Sequence, residues 1–400
     1  MKSYFCISGL KKPSFFRINF CHMIRIQEID LSNSKEKKIF VNFDYEIYQN
    51  SPYWVAPLRM DVNQRLNIKK HPFYKTATIK AYLAYRGDRV VGRIAAIDNF
   101  KYNEFHGSKI GFFGFFECID DQEVANALLS KVEEYHLHAG NNFLHGPVNP
   151  STNYESGLLI DGFEDAPKIM MIYNPPYYIK LLEGYQMNLE MKMFAYKFEE
   201  ADVLKNEKFL RVKDIALTRS KCTLRYIEPK NLKVEIENIK KIYNKAWENN
   251  WGFVPMTDPE LDLMANELKL ILDPSLAPMI VNEDGEVVAF ALALRDINQI
   301  TKSFQGNLFP FNFLKLIFNK SKIDWVRVLL LGILPDYRGK GLDAVMYYEI
   351  IKNAMNLGIK HAEASWILES NEGMNRGVQV VNGERYKTYG IFQKQINSTN

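Results

Sequence analysis

Between Val326 and Met346 the chain reads VRVLLLGILPDYRGKGLDAVM, and no other stretch restricts the fold as tightly. Val328 to Leu334 is apolar apart from Gly332 and ends at Pro335, which suits a strand covered on both faces inside an α/β sheet. Arg338-Gly339-Lys340-Gly341 follows, and from Leu342 to Asn356 the apolar spacing is helical. Strand, glycine-bearing basic turn and helix, in that order, build an anion cradle. The glycines admit close approach, free N–H groups converge, and the helix dipole adds positive potential. Arg338 and Lys340 add full charges at the rim. The turn lacks the G-x-x-x-x-G-K-[ST] of a P-loop and the third glycine of a dinucleotide fingerprint, so neither nucleotide motif applies.

The same order of elements occurs twice. Lys80–Tyr85 and Val90–Ile97 read as a hairpin across Arg86-Gly87-Asp88-Arg89. An apolar strand at Gly111–Ile119 follows, then a helix from Asp120 to His138 and a strand at Phe143–Val148. In the second half a hairpin joins Met279–Val281 to Val287–Leu294, followed by the strand at Val326, the helix at Leu342 and a strand at His361–Leu368. These are diverged copies of one α/β unit. The first copy has Ile119-Asp120-Asp121-Gln122-Glu123 where the second is basic, so it cannot hold a pyrophosphate and serves as a structural or acceptor-gripping domain. With 400 residues there is room for two cores. The boundary falls between Tyr196 and Val212, where Glu199, Glu200, Lys205 and Lys208 mark a solvated stretch. The expected division is 23–205 and 206–400.

Composition excludes several classes. A net charge of +4 is too small to point to nucleic acid, and 24% charged with 47% hydrophobic residues is globular. The four cysteines are scattered without a C-x-x-C, which argues against a disulfide framework or a metal site and for a reducing, cytoplasmic setting. No run is long enough to span a membrane. Residues 1–22 have apolar patches cut by Lys11, Lys12 and Arg17, and are expected to be a disordered leader rather than a signal peptide.

Two segments stand out from the repeat. The polar loop His145–Glu155, with Tyr173-Asn174-Pro175-Pro176-Tyr177-Tyr178, lies at strand ends, where sites commonly sit; its residues are also ordinary turn formers. The insert Phe304–Phe318 carries Leu308, Phe309, Phe311, Phe313, Leu314, Leu316, Ile317 and Phe318, followed by Asn319-Lys320-Ser321-Lys322. It is too apolar for a solvated loop. A core helix, a lid over an acyl chain and a helix lying on a membrane surface all fit it.

Arg338-Gly339-Lys340-Gly341-Leu342 resembles the pantetheine–pyrophosphate loop of the GNAT superfamily of N-acyltransferases, whose pattern is [RQ]-x-x-G-x-[GA]; Asp343 stands where the pattern has a small residue. Longer blocks resemble a two-copy bacterial group of that superfamily which includes bacterial ceramide synthases. They are Trp54–Leu58, Lys70–Phe73, Gly146–Asn149, Asn174–Tyr178, Leu308–Phe311, Tyr337–Ala344 and Tyr386–Tyr389, and in that group an Asp after the loop is a normal feature.

The resemblance implies a mixed α/β sheet in two tandem GNAT-like domains, the first lacking the phosphate loop. It implies an acyl-CoA or acetyl-CoA donor, with an acyl carrier protein as the other source. Arg338, Gly339, Lys340, Gly341 and Leu342 are then expected at the pyrophosphate, and Gly332, Ile333 and Leu334 along pantetheine. The acceptor is expected to be a small-molecule or lipid amine, with membrane contact through 304–318. Acyl transfer needs a proton acceptor for the amine, donors for the oxyanion and a proton for the thiolate. Glu369, at the end of the strand after the cradle helix, is expected to be the base. Asn371 positions the acceptor or caps the next helix. The pattern's thiolate-protonating tyrosine is replaced by Val378, leaving Tyr386 or Tyr389 for that role. A non-catalytic acyl-CoA-binding or scaffolding protein is the rival reading.

Overall fold

The computed structural model describes residues 23–199 and 203–396, so the expected leader, Glu200 and the side chain of Lys208 lie outside the described residues. The first half supplies β1 (Ile24–Ile29), β2 (Ala77–Arg86), β3 (Arg89–Asn99), β4 (Ile110–Cys118), β5 (Phe143–Gly146), the short β6 (Val148–Asn149) and β7 (Glu155–Ser156), β8 (Leu158–Asp161) and β9 (Asn188–Glu199). The second supplies β10 (Thr223–Tyr226), β11 (Pro278–Val281), β12 (Val287–Arg295), β13 (Trp325–Ile333), β14 (His361–Leu368) and β15 (Glu384–Gln395). Both expected hairpins form, and the cradle helix runs over Leu342–Asn356.

One 13-stranded sheet joins the halves, in the order β1-β2-β3-β4-β5-β15-β9-β14-β13-β12-β11-β10, with β8 added beside β15. Its pairing is antiparallel except for β4 with β5 and β13 with β14. At the centre the final strands are exchanged. β9 closes the first half in sequence yet pairs with β14, and β15 closes the second half yet pairs with β5. A cut after residue 205 therefore separates the sequence copies but not the sheet. The pattern of a buried strand reports its faces and not its neighbours, so the exchange is invisible in the sequence.

A loop of the first half seals the junction. Ile169 N–H donates to Asp296 Oδ1 at 2.8 Å, Arg327 Nη1 donates to Ile169 O at 2.8 Å, and Lys387 Nζ donates to the carbonyls of Asp165 and Ala166 at 3.0 and 2.8 Å. Burial pushes the Asp296 carboxyl up to about 7, against the pull of Lys168. Among the described residues no helix is long and apolar enough to cross a membrane.

Candidate active site

β13 and β14 run parallel and in register only from Trp325↔His361 to Val328↔Ala364. Beyond that they separate into a wedge. Each strand carries an irregularity where the pairing ends. On β13, Leu292 faces Leu330 but Ala293 faces Val328, which leaves Leu329 bulged. On β14 the register with β9 slips between Ala364 and Ile367, and Trp366 has φ 57°. Positive φ in a bulky residue is a strained backbone held by its surroundings.

The basic turn lies at the wide end of this wedge. Gly339 and Gly341 have φ of 70° and 84°, the left-handed conformation that glycine adopts without steric cost. Gly341 is the N-cap of the Leu342–Asn356 helix, and no side chain caps it. Among the described residues, the amides from Gly339 through Asp343 donate to no protein acceptor. The turn is thus a nest of free N–H groups at the positive end of a 15-residue helix, as an anion site requires. Space is available above Gly339, where a Cβ would meet nothing within 4 Å, but not at Gly341, where it would lie 2.7 Å from Val212 Cγ1.

Three expected contacts are rearranged. Leu334 N–H donates to Val288 O at 2.9 Å, and antiparallel alternation then turns Gly332 toward β12 as well. Of the residues expected along pantetheine, only Ile333 turns its backbone into the wedge, and Leu331 does the same. Gly332 has a packing role instead, since a Cβ there would lie 2.8 Å from the Trp247 ring. Arg338 reaches back across the turn, donating from Nη2 to Ala246 O at 2.9 Å and from Nε to Ile333 O at 3.3 Å. Lys340 Nζ sits 4.6 Å from the Tyr337 ring centroid.

The first copy serves as an internal contrast. β4 and β5 also part early, after Phe112↔His145, and Phe115 bulges with φ 49°. Here the chain fills its own wedge. Phe115 N–H donates to Asn149 Oδ1 at 2.6 Å, and a Cβ on Gly114 would collide with Val148 O. The following helix, Gln122–His138, is capped by Asp121, whose carboxylate accepts from Glu123 and Val124 N–H and pairs with Arg86 at 2.8 Å. Every feature that is open in the second copy is closed in the first.

An apolar cavity of about 180 Å³ adjoins the wedge of the second copy. Leu329, Leu330 and Trp366 of the two strands line it. The helices Leu232–Trp247 and Asp258–Leu268 cover it, and Thr152, Asn153 and Tyr154 of the first half close one side. The polar loop of the first half is thus part of the site wall. Its members are held by Gly252 O to Thr152, Val254 O and Tyr243 to Asn153, and Glu260 to Tyr154. Trp366 Nε1 is buried and has no partner among the described residues. Sequence reasoning passed over the two covering helices, although Leu232, Ile236, Ile239 and Tyr243 recur at helical spacing and all line the cavity.

The residues expected to do chemistry do not converge on this cavity. Glu369 lies at the same C-terminal strand edge as the turn, exposed, 3.4 Å from Lys192. Asn371 caps the helix Glu372–Val380, accepting from Met374 N–H. Tyr386 donates to Glu363, which is fully buried and lies 3.5 Å from Arg327 Nε. Burial, and then the Glu363 carboxylate, push the Tyr386 hydroxyl far above the ordinary tyrosine range. Tyr389 is fully buried, and Val378 is buried in the core of the second half.

In the insert Phe304 is buried, whereas Phe311 and Phe318 are 74% and 75% exposed. The Asn312–Asn319 helix buries none of its residues, so of the three expected forms it is not a core helix. It contributes no residue to the wall of this apolar cavity, which the Leu232–Trp247 and Asp258–Leu268 helices cover.

Residues 236–376 match the Acetyltransferase (GNAT) family. Over 376 residues the chain is 32% identical to the bacterial ceramide synthase of Caulobacter vibrioides, covering 92% of this chain and 97% of that protein. It is 30% identical over 370 residues to protein YghO of Escherichia coli, covering 91% and 94%. In fold it is similar to a tandem GNAT protein from the clavulanic acid biosynthesis pathway, with a TM-score of 0.57 at 8% identity over 94% of this chain and 100% of that one. With its two copies, one open wedge and one basic turn, the chain belongs to the GNAT superfamily of acyltransferases, in the two-copy group to which the bacterial ceramide synthase belongs.

Proposed function

We propose that this protein moves a long-chain acyl group from acyl-CoA to the primary amine of a lipid-like acceptor, of which a sphingoid base is the leading candidate. The observation that carries this reading is the apolar cavity opening from the wedge where a thioester belongs. An enzyme restricted to acetyl groups has no use for that space. The name of the Caulobacter relative adds weight to the sphingoid acceptor. The same reading puts the protein in the cytoplasm.

In this reading the amides from Gly339 through Leu342 hold the donor's pyrophosphate, with Lys340 at the rim and Arg338 bracing the turn. Leu331 and Ile333 pair with pantetheine as a strand would, which lays the thioester beside Leu329 and Trp366. The amine nitrogen attacks the thioester carbonyl and gives up one proton, the C–S bond breaks, and the CoA thiolate takes a proton back from water at the same edge, so that the products are the amide and the free thiol. Glu369 accepts the amine proton through water at the strand edge. Asn371 shapes that edge by capping, and Tyr386 positions Glu363 rather than supplying a proton. Trp366 Nε1 is the unspent donor nearest the reacting carbonyl.

Incubation with sphinganine and palmitoyl-CoA, read by mass spectrometry, is expected to yield the N-acyl product and free CoA in equal amounts. Tight donor binding with no product from any amine would leave the non-catalytic binding or scaffolding role. Trp366→Phe keeps an aromatic side chain while removing the indole N–H and the ring that carries it. It is expected to lower kcat by about tenfold or more with donor affinity unchanged, as loss of an oxyanion donor does. An unchanged kcat would remove Trp366 from the reacting centre.

A further inference from the structure

The insert is a rigidly footed projection with a bare apolar tip. Arg59 Nη1 holds Gln305 O at 2.6 Å and Asn307 Oδ1 at 3.1 Å, Lys302 Nζ donates to Pro52 O at 2.6 Å, and Phe304 is buried beneath. At its far end Arg295 Nη1 donates to Lys320 O at 3.3 Å, and Lys320 lies 3.9 Å from Asp273. Between these feet stand Phe309, Phe311, Ile317 and Phe318, each exposed by 63% or more. Such large side chains grouped at one tip are out of place on a surface that meets only water.

Charge and position decide what covers them. From Ile297 to Ile323 the chain holds four lysines (Lys302, Lys315, Lys320 and Lys322) and no acidic residue. An apolar tip within a cationic collar matches a bilayer with anionic headgroups: the rings enter the acyl boundary and the lysines stay at phosphate level. A second copy of this chain would bring four more lysines against these. One foot of the insert also adjoins the cavity wall. Asp273, which receives Lys320, directly follows Leu272 in the cavity wall, and the nearby Lys269 and Leu270 are exposed, Leu270 by 87%.

We propose that the Phe309–Phe318 tip docks on an anionic phospholipid bilayer and turns the Lys269–Leu272 rim of the cavity toward it, so that a lipid reaches the cavity from the membrane without crossing water. The entry route rests on the acyl-transfer reading; the docking does not. The full chain is sedimented with vesicles of phosphatidylglycerol and phosphatidylcholine, and with vesicles of phosphatidylcholine alone. Binding is expected to the anionic vesicles, to weaken as salt rises, and to fall at least tenfold in the Phe311→Ser/Phe318→Ser double variant. That variant should keep its melting temperature and its turnover of water-soluble short-chain substrates, while turnover of acceptor embedded in vesicles falls with binding. No binding to anionic vesicles overturns the proposal. So does a wild-type dimer that the double variant converts to monomer without any change in vesicle binding, which would make the tip a contact between copies. Docking without turnover of any substrate would fail the acyl-transfer reading alone.

Discussion

Glutamate in place of Gly339 is expected to abolish useful donor binding, lowering acyl-CoA affinity by about a hundredfold, since two like charges about 5 Å apart near a protein surface repel by about 3 kcal/mol. The position isolates electrostatics from packing. A Cβ at Gly339 enters open space, and the cost of holding a non-glycine residue at φ 70° is about 1–2 kcal/mol, too little to unfold the chain. Gly341→Glu would be ambiguous, because its Cβ would press on Val212 in the packed Glu207–Ser220 helix. Calorimetric titration with acyl-CoA, alongside a melting curve, separates loss of the site from loss of the fold. A variant that melts near wild type and binds as tightly would show that the donor's phosphates lie elsewhere.

The second large effect is expected from filling the cavity. Ala265 lies on the Asp258–Leu268 helix and lines the space without being fully buried, so Ala265→Trp adds an indole there with little strain on the core. Each methylene denied burial costs about 0.8 kcal/mol, so excluding three or four lowers the specificity constant for a long chain by about fifty- to two-hundredfold. Acetyl transfer should change by less than about threefold, because the wedge and turn are untouched. The check is kcat/KM across a chain-length series from acetyl- to palmitoyl-CoA. Equal losses at every length would mean that the acyl chain lies outside this cavity, and the substitution merely disturbs the helix.

Where local physics dominates, the sequence was readable. The strand at Val326, the turn at Arg338 and the helix over Leu342–Asn356 each follow from glycine placement and apolar spacing within some twenty residues. The acidic turn after β4 was equally plain, and the Asp121 cap shows why it forms no anion site. The surroundings of the chemical residues were less legible. Glu369, Asn371 and Tyr386 were chosen for lying on or near the right strands, and only the fold shows that they meet Lys192, a helix N-terminus and Glu363. Which of Gly332, Ile333 and Leu334 faces the wedge depends on the pairing phase with β12, which no count along β13 supplies.

By itself, then, the sequence determined that there are two α/β copies, that only the second carries a basic glycine turn, and that an apolar, lysine-flanked insert interrupts the second. These are statements about neighbours along the chain, where spacing and side-chain type act directly. Tertiary structure alone decided that the copies exchange their last strands, that Val148 and Asn149 fill the first wedge while the second stays open, and that an apolar cavity lies beneath the Leu232–Trp247 and Asp258–Leu268 helices. Each of these depends on which surfaces far apart in sequence meet. Apolar burial drives such meetings without direction, so the same stripe of leucines and phenylalanines serves a core, a cavity wall or a membrane tip until its partner is known.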